Sequence, residues 1–457
     1  MNGNSTVRVG IESGDRQVVA HVGLHALGAF ADRLGFGARL SEQVPWTGER
    51  APVHDRGSVL VQTMLMLAGG GESCADIEHL RVQGRLFGPV ASDTTLYRTI
   101  TALEPATLDR LGEATAQTRA IVWSRAGAAT AGATPVVLDI DASLVQVHSE
   151  NKEGTAPNFK RGFGFHPMFC FADATGEALA AILRPGNATA NDAADHLAVL
   201  DTAIGQLPDN ITVGHRSGDD AGVAARRIVV RADSAGCTHK FVHGCRARNV
   251  GFAVVARRNA QIQGAIANLA VDDDRWQTAI RADGGERQDA FVCEITDLID
   301  LDGWPDGTRL IVRREPRHPG AQHSLFPSDA FRYWGHYTDQ PGTPAVLDLF
   351  IRAHAHVEDH IRRLKDSGLC RFPFTGLNAN RAWLALVCMA ADLVRWFQLL
   401  CCDGELAVAE PKRLRWTLWH TPARVVRKAG RDIVRLIDGW PTTREILDAY
   451  QHIAALT

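Results

Sequence analysis

The chain has 457 residues, 45% hydrophobic and 22% charged, which excludes a disordered or fibrous protein and calls for roughly two to four domains. Its formal net charge of −3 does not by itself advertise nucleic acid as a partner. Nine cysteines without a CxxC pair exclude a disulfide framework and suit free thiols in a reducing cytoplasm, and the N-terminus shows no basic segment followed by an apolar core, so no secretory leader is expected.

Residues 1–130 read as a helical domain. GLHALGAFADRLG, SVLVQTMLMLAGG and ADIEHLRVQGRLFG carry apolar residues at helical spacing, with glycines as stops. In SDTTLYRTITAL, Ser92 or Asp93 is placed to cap a short helix that shows Thr94, Thr95, Tyr97 and Arg98. A short helix after a turn, polar and basic at its start, is what a helix-turn-helix recognition helix needs, so these four are candidate DNA contacts. Many helical domains contain such a helix, and a plain packing role is almost as good a reading.

The Gly- and Ala-rich SRAGAATAGATP reads as a linker. After it the period changes to that of strands: TPVVLDIDASLVQVH, GFHPMFCFAD and EALAAILRP, the last two joined by a turn at Asp173-Ala174-Thr175-Gly176. A helix over about Asn191 to Leu207, the strand RRIVVRAD, a helix over Cys237 to Arg248 and the strand GFAVVARR follow. Three strands in hairpins, then helix, strand, helix, strand is the element order of the ribonuclease H-like fold. It predicts an α/β core with a mixed five-stranded sheet over residues 134–257. The fold then calls for one more helix. Before it, residues 258–345 hold DAFVCEITDL, TRLIVRRE and FRYWGHYTD, patterned too regularly for a loop and read as a β-rich insertion. Residues 346–402 complete the core, and 403–457 form a basic C-terminal tail.

The awaited helix is AHAHVEDHIRRLK, Ala353 to Lys365. On its period His354, Glu358, Ile361 and Lys365 share one side, and His356, His360 and Arg363 another. WLALVCMAADLVRWFQLLCC behind it is broken by Asp392 and Arg395, so a buried helix is expected and no membrane span.

In the element order above, Asp139 or Asp141 on the first strand and Asp233 at the end of the fourth meet in space. Glu358 would join them. Three carboxylates from two strands and a helix suit Mg²⁺, which takes oxygen ligands and works with substrate phosphates. Two such ions can activate an attacking oxygen and stabilise a leaving one at phosphorus. Asp139 and Asp141 lie two apart and share a strand face. Asp141 is favoured as the ligand because Ser143 follows it, with Asp139 as a support or alternative. Taken singly, each Asp near a strand end reads better as a turn or cap residue. The conjunction carries the inference. Lys365 is placed to reach a phosphate near the scissile bond.

Two rival metal readings are weaker. HVEDH spaces His356 and His360 as in a zinc peptidase, but its carboxylate is one position too late. CTHKFVHGC offers Cys237, His239, His243 and Cys245, yet one short helix cannot readily wrap a tetrahedral ion. The tail carries eight Lys or Arg between Pro411 and Arg435 against one acid, Asp432. Of these Lys412, Arg413, Arg415, Arg424, Arg427 and Lys428 are candidate phosphate contacts, although a solvated face explains the charge equally well.

Together, DIDAS with VHSENKEG, FKRGFGFHP, LRPGNATANDAADH, VVRADSAG, AHVEDHIRRLKDSGL and EPKRLRW resemble the DDE transposases of bacterial insertion sequences, most closely the IS-thirteen-eighty branch, over nearly the whole chain. The resemblance implies a ribonuclease H-like core with a β-rich insertion before the glutamate. It implies a triad of Asp141, Asp233 and Glu358 holding two Mg²⁺ ions, with Mn²⁺ as substitute. It further implies binding to terminal inverted repeats of double-stranded DNA, cut-and-paste movement, and a homodimer in the synaptic complex. Related transposases carry Tyr, Arg, Glu and Lys along the last helix. Here Glu358 and Lys365 match, Ile351 and His354 depart, and Arg352 or His354 is left for the phosphate-clamping role. A hydrolytic nuclease or an element-derived DNA-binding protein on the same fold is the alternative.

Overall fold

The computed structural model describes residues 17–46, 48–127, 135–224, 226–257, 259–269, 273–317 and 331–456. Most of the Gly/Ala linker, 128–134, lies outside them.

One mixed sheet organises the molecule. Its strands, in chain order, are β1 (Val136–Ala142), β2 (Met168–Ala172), β3 (Glu177–Ile182), β4 (Ile228–Ala232), β5 (Val250–Val255), β6 (Gln277–Ile280), β7 (Glu286–Glu294), β8 (Arg309–Pro316) and β9 (Phe331–Thr338). Across the sheet they lie in the order β6-β7-β8-β9-β5-β4-β1-β2-β3. β1, β2 and β3 pair antiparallel, as hairpin connections require, whereas β1, β4 and β5 run parallel through helical crossovers. The β2–β3 turn falls on 173–176, and Gly176 takes φ +67°, a left-handed conformation that a side chain would strain. The apolar runs IVV in β4 and FAVV in β5 suit strands buried on both faces.

The sheet has nine strands where five were expected. The β-rich stretch does not form a sheet of its own. β9 pairs antiparallel with β5 through His336↔Val255, Tyr337↔Val254 and Thr338↔Ala253, and β8, β7 and β6 add outward from it. Without β9, the free backbone groups of β5 would form an exposed edge, so the pairing extends the core sheet.

Helices cover this sheet and share its interior. The central helix, Leu377–Cys401, packs on β3 and on the helices Arg56–Ala68 and Pro105–Ala126. It has the length and apolarity to cross a membrane, yet 72% of its most apolar window is buried inside the protein. Aromatic contacts tie it to the N-terminal helices: Phe397 meets Phe30 at 5.6 Å and Trp396 meets Phe36 at 5.5 Å, both edge-on. Rather than several cores, the buried apolar residues from Val19 to Ile453 form one continuous cluster, with a small satellite at Ala279, Ala290, Val292 and Ala345.

Asp392, one of the two residues that interrupt the apolar run, anchors a buried charge network. Arg119 donates to Glu177 and to Asp392, each at 2.6 Å, and to the Gln206 side chain at 2.8 Å. Trp123 and Trp396 each donate to Glu177 at 2.7 Å, and the Ala178 backbone donates to Asp392 at 2.7 Å. This fastens β3, the Pro105–Ala126 helix and the central helix together.

The segment expected as a tail is folded. It holds the hairpin strands β10 (Ala423–Lys428) and β11 (Arg431–Leu436), and the helix Thr443–Ala455. A two-residue strand, Val18–Val19, pairs with β10 and so joins the two ends of the chain.

Candidate active site

Strand register brings the aspartates together. β1 and β4 are parallel neighbours with Asp139 beside Arg231 and Ile140 beside Ala232. One step further along places Asp141 next to Asp233, where adjacent strands lie about 4.8 Å apart. Asp233 follows directly on β4 and accepts a 2.8 Å hydrogen bond from the Ala235 backbone, which turns the chain away from the sheet. Asp141 accepts one from its neighbour Ala142 at 2.7 Å.

The third acid arrives on a helix bent at its start. The chain leaves the helix Pro344–Arg352, passes through a 3₁₀ turn at Ala353–Ala355, and enters the helix His356–Leu364, with Glu358 in its first turn. A π-turn at Lys365–Leu369 ends it. The expected single helix over Ala353 to Lys365 is therefore three local geometries in series, and the bend lets His356–Leu364 lie against β1.

Electrostatics report the convergence. The Asp141 carboxyl is pushed up to about 6, first by burial and then by the negative charges of Asp233 and Glu358, against the opposing pull of the Ala142 N–H and His354. Three carboxylates that repel one another at the end of two strands form a site suited to a cation. Among the described residues, no three His, Cys, Asp or Glu side chains are already drawn close enough to enclose an ion. The facing donors are nevertheless all carboxylate oxygens, the ligand set of a hard divalent cation such as Mg²⁺. The residues fit that group.

Asp139 has a different setting. It is fully buried, accepts two hydrogen bonds from Arg231 at 2.8 and 2.6 Å, and accepts a third from His354 Nδ1 at 2.8 Å. Burial would raise its pKa, but the His354 and Arg231 hydrogen bonds outweigh burial and hold it below the usual carboxylate range. Its oxygens are committed to the protein. Arg231 also pairs with Asp173 at 2.7 Å and donates to the Phe350 carbonyl at 2.9 Å, bracing β4 to the end of the helix Pro344–Arg352 that leads into the glutamate helix. Sequence reasoning missed Arg231, although a charge in the apolar run IVVRA, two residues before Asp233 and so on the same strand face, was a usable signal. Asp139→Asn is expected to cost about 3–5 kcal/mol of stability, the range for removing one charge from a buried ion pair. It should leave measurable strand cleavage, read by denaturant titration beside a cleavage assay. Full stability with abolished cleavage would move the ligand assignment to Asp139.

The other expected residues disperse. Arg352 pairs with Asp348 at 2.8 Å and donates to the Ile280 carbonyl, facing β6. His354 is buried and held by Asp139. Lys365 caps the far end of the glutamate helix, roughly 10 Å along the axis from Glu358, near Cys370, whose thiol is pushed up by burial and by Glu72 against the opposing charge of Lys365. His356 reaches Asp173 at 3.4 Å, while His360 packs at a tilt against Phe171 with ring centroids 5.3 Å apart. The CTHKFVHGC run does not close round an ion: Cys245 is buried, while His243 bonds the Gly303 carbonyl at 3.0 Å and His239 packs edge-on against Trp304, both against the same loop. Ser92 caps the helix Asp93–Thr101 by accepting from Thr95 N at 3.2 Å, leaving Thr94, Tyr97 and Arg98 exposed and Thr95 half-buried. Of the basic candidates, Lys412 pairs with Asp366 at 3.0 Å, Arg413 with Glu405 at 3.0 Å, and Arg415 donates to the Asp366 carbonyl at 2.6 Å.

Residues 2–457 match the family model described as Transposase DDE domain group 1. The chain belongs to this family. It is thus a DNA transposase, an enzyme class that acts on DNA and depends on divalent metal. Among solved structures, the transposase is similar to a piggyBac transposase in a synaptic complex with hairpin DNA, at 10% identity and a TM-score of 0.45, over 86% of this chain and 79% of that one. No curated protein matches it.

Proposed function

We propose that this transposase performs cut-and-paste movement of an insertion sequence of the IS-thirteen-eighty branch, binding the terminal inverted repeats as a homodimer in the synaptic complex. In this reading β1 to β5, in the order β3-β2-β1-β4-β5, are a ribonuclease H-like core, and the helix Asp93–Thr101 belongs to an N-terminal DNA-binding region. Asp141, Asp233 and Glu358 hold the metal. The carrying observation is that two neighbouring parallel strands and one helix bring these three acids within electrostatic reach, where burial first, and then the charges of Asp233 and Glu358, raise the pKa of Asp141.

Bound there, two Mg²⁺ ions would supply Lewis-acid activation of the attacking oxygen and charge stabilisation of the leaving one. The protein's own part is to fix the carboxylates. The Arg231–Asp139–His354 brace sets β1 against β4 and both against the bend before Glu358. Lys365, at the exit of the same helix, is assigned to a DNA phosphate further along the strand.

The test is incubation of the full chain with DNA carrying the ends of its source element and Mg²⁺, with mapping of cleaved and joined strands. Joined products are expected. Cleavage without joining would replace this reading with a hydrolytic nuclease, and binding without cleavage with an element-derived DNA-binding protein.

A further inference from the structure

The β10–β11 hairpin shows a charge arrangement that the fold does not need. Its register sets Lys428 opposite Arg431 and Arg424 opposite Arg435, with Val426 opposite Ile433 between them. Cross-strand partners and alternate residues share a face, so these six side chains lie on one side of the hairpin. The other side carries Ala423 and Val425, both buried against the body. On the outer side Lys428, Arg431 and Arg435 are exposed, and Ile433 keeps 42% of its surface in solvent. Arg424 is already engaged in an interaction of its own and is not counted among the cations open to a partner.

Like charges placed directly opposite each other on a sheet oppose its pairing. The connecting turn opposes it too. Ala429 and Gly430 take φ +51° and +78°, the left-handed pair that a two-residue hairpin turn requires, and alanine stands where that conformation is disfavoured. The acid at the tip, Asp432, is on the opposite face and reaches Arg85 of the helix Gly84–Phe87 at 3.3 Å. That pair is exposed on both sides, and such pairs contribute little to stability, so Arg85 is readily released to another anion.

We propose that the outer face of this hairpin, with Lys428, Arg431 and Arg435, binds the phosphate backbone of duplex DNA independently of base sequence. The proposal rests on the DNA-acting reading above. Repelling cations held on one exposed face gain most from a regular polyanion, which neutralises them and releases its own counterions. The aliphatic Val426–Ile433 strip between the cation pairs fits the apolar faces of the sugars. Arg427 falls on the other face, beside Asp432, and has no part in the contact.

The experiment is titration of the full chain against a duplex carrying the element's end and an unrelated duplex of equal length, across a range of KCl. The combined Lys428→Ala, Arg431→Ala, Arg435→Ala variant should bind both more weakly. Its slope of log K against log salt should be shallower by about 2–3, at roughly 0.9 for each phosphate no longer neutralised. Asp432→Asn should tighten binding to both, which damage to the fold would not do. Thermal melting of each variant checks folding, and strand joining in Mg²⁺ by the unaltered chain is measured in parallel. An unchanged slope with joining intact overturns the surface alone. Loss confined to the end-bearing duplex overturns the claim of sequence independence. Absence of joining by the unaltered chain overturns the transposition reading and leaves the salt slope to decide the surface.

Discussion

Exchanging Asp141 or Asp233 for Asn, or Glu358 for Gln, is expected to lower strand cleavage at least about a thousandfold, roughly 4 kcal/mol of transition-state stabilisation. On the proposed assignment each carboxylate contributes charge to a shared cation site, and an amide of the same shape does not replace it. Binding of DNA ends should change little, because these acids face one another at the strand ends and repel phosphate in the absence of metal. Rates in Mg²⁺ measured beside end-binding affinities check this. A Glu358→Gln protein cleaving at the unaltered rate would remove the glutamate from the site. Stability should rise slightly in the Asp141 variant, since the carboxyl there is pushed up to about 6 by burial and by its two acidic neighbours, and relief of that repulsion favours the fold.

The second large effect lies in the core. Arg119→Met is expected to destabilise the protein by about 3–5 kcal/mol, the range for removing one partner from a buried ion pair. Arg119, Glu177 and Asp392 are each buried almost completely, so the substitution leaves two carboxylates facing each other without a cation. Combining it with Glu177→Gln and Asp392→Asn should recover much of the loss, because no charge then remains to be compensated. Urea unfolding midpoints of the single and triple variants make the comparison. A loss below about 1 kcal/mol for Arg119→Met alone would mean that water or another cation, such as nearby Arg395, replaces the guanidinium.

The parts of this protein legible from sequence are those governed by local period and by element order. DIDAS and VVRAD announce acids at strand ends, and the hairpin–hairpin–crossover order is enough to make Asp141 and Asp233 neighbours. The helix of Glu358 is visible in its spacing, though its bend at Ala353–Ala355 is not, because the backbone there stays in the right-handed helical region and only the hydrogen-bond step changes. What escaped depends on contacts between distant segments. Nothing in FRYWGHYTD states that it pairs with β5, so the added strands read as a separate unit. Likewise nothing in DID separates Asp139 from Asp141; the difference lies in Arg231 and His354, which only the folded chain brings to the inner acid. The hairpin was within reach. RVVRK and RDIVRL flank Ala-Gly at hairpin spacing, but counting charges over Pro411 to Arg435 hid the alternation that sorts Arg427 from Lys428.

The continuity of the sheet from β3 to β6 bears on how the enzyme comes into being. Glu358 reaches the aspartates only after the chain has run out through β6, β7 and β8 and returned along β9 to β5. Pairings so distant in sequence form late and slowly, because loop closure must precede the contacts that reward it. A chain still emerging from the ribosome would hold two of the three carboxylates and no complete ion site. On the proposed assignment, the capacity to cut DNA waits on the long-range pairing that seats Glu358, so a partly synthesised chain lacks a complete site with which to act on DNA.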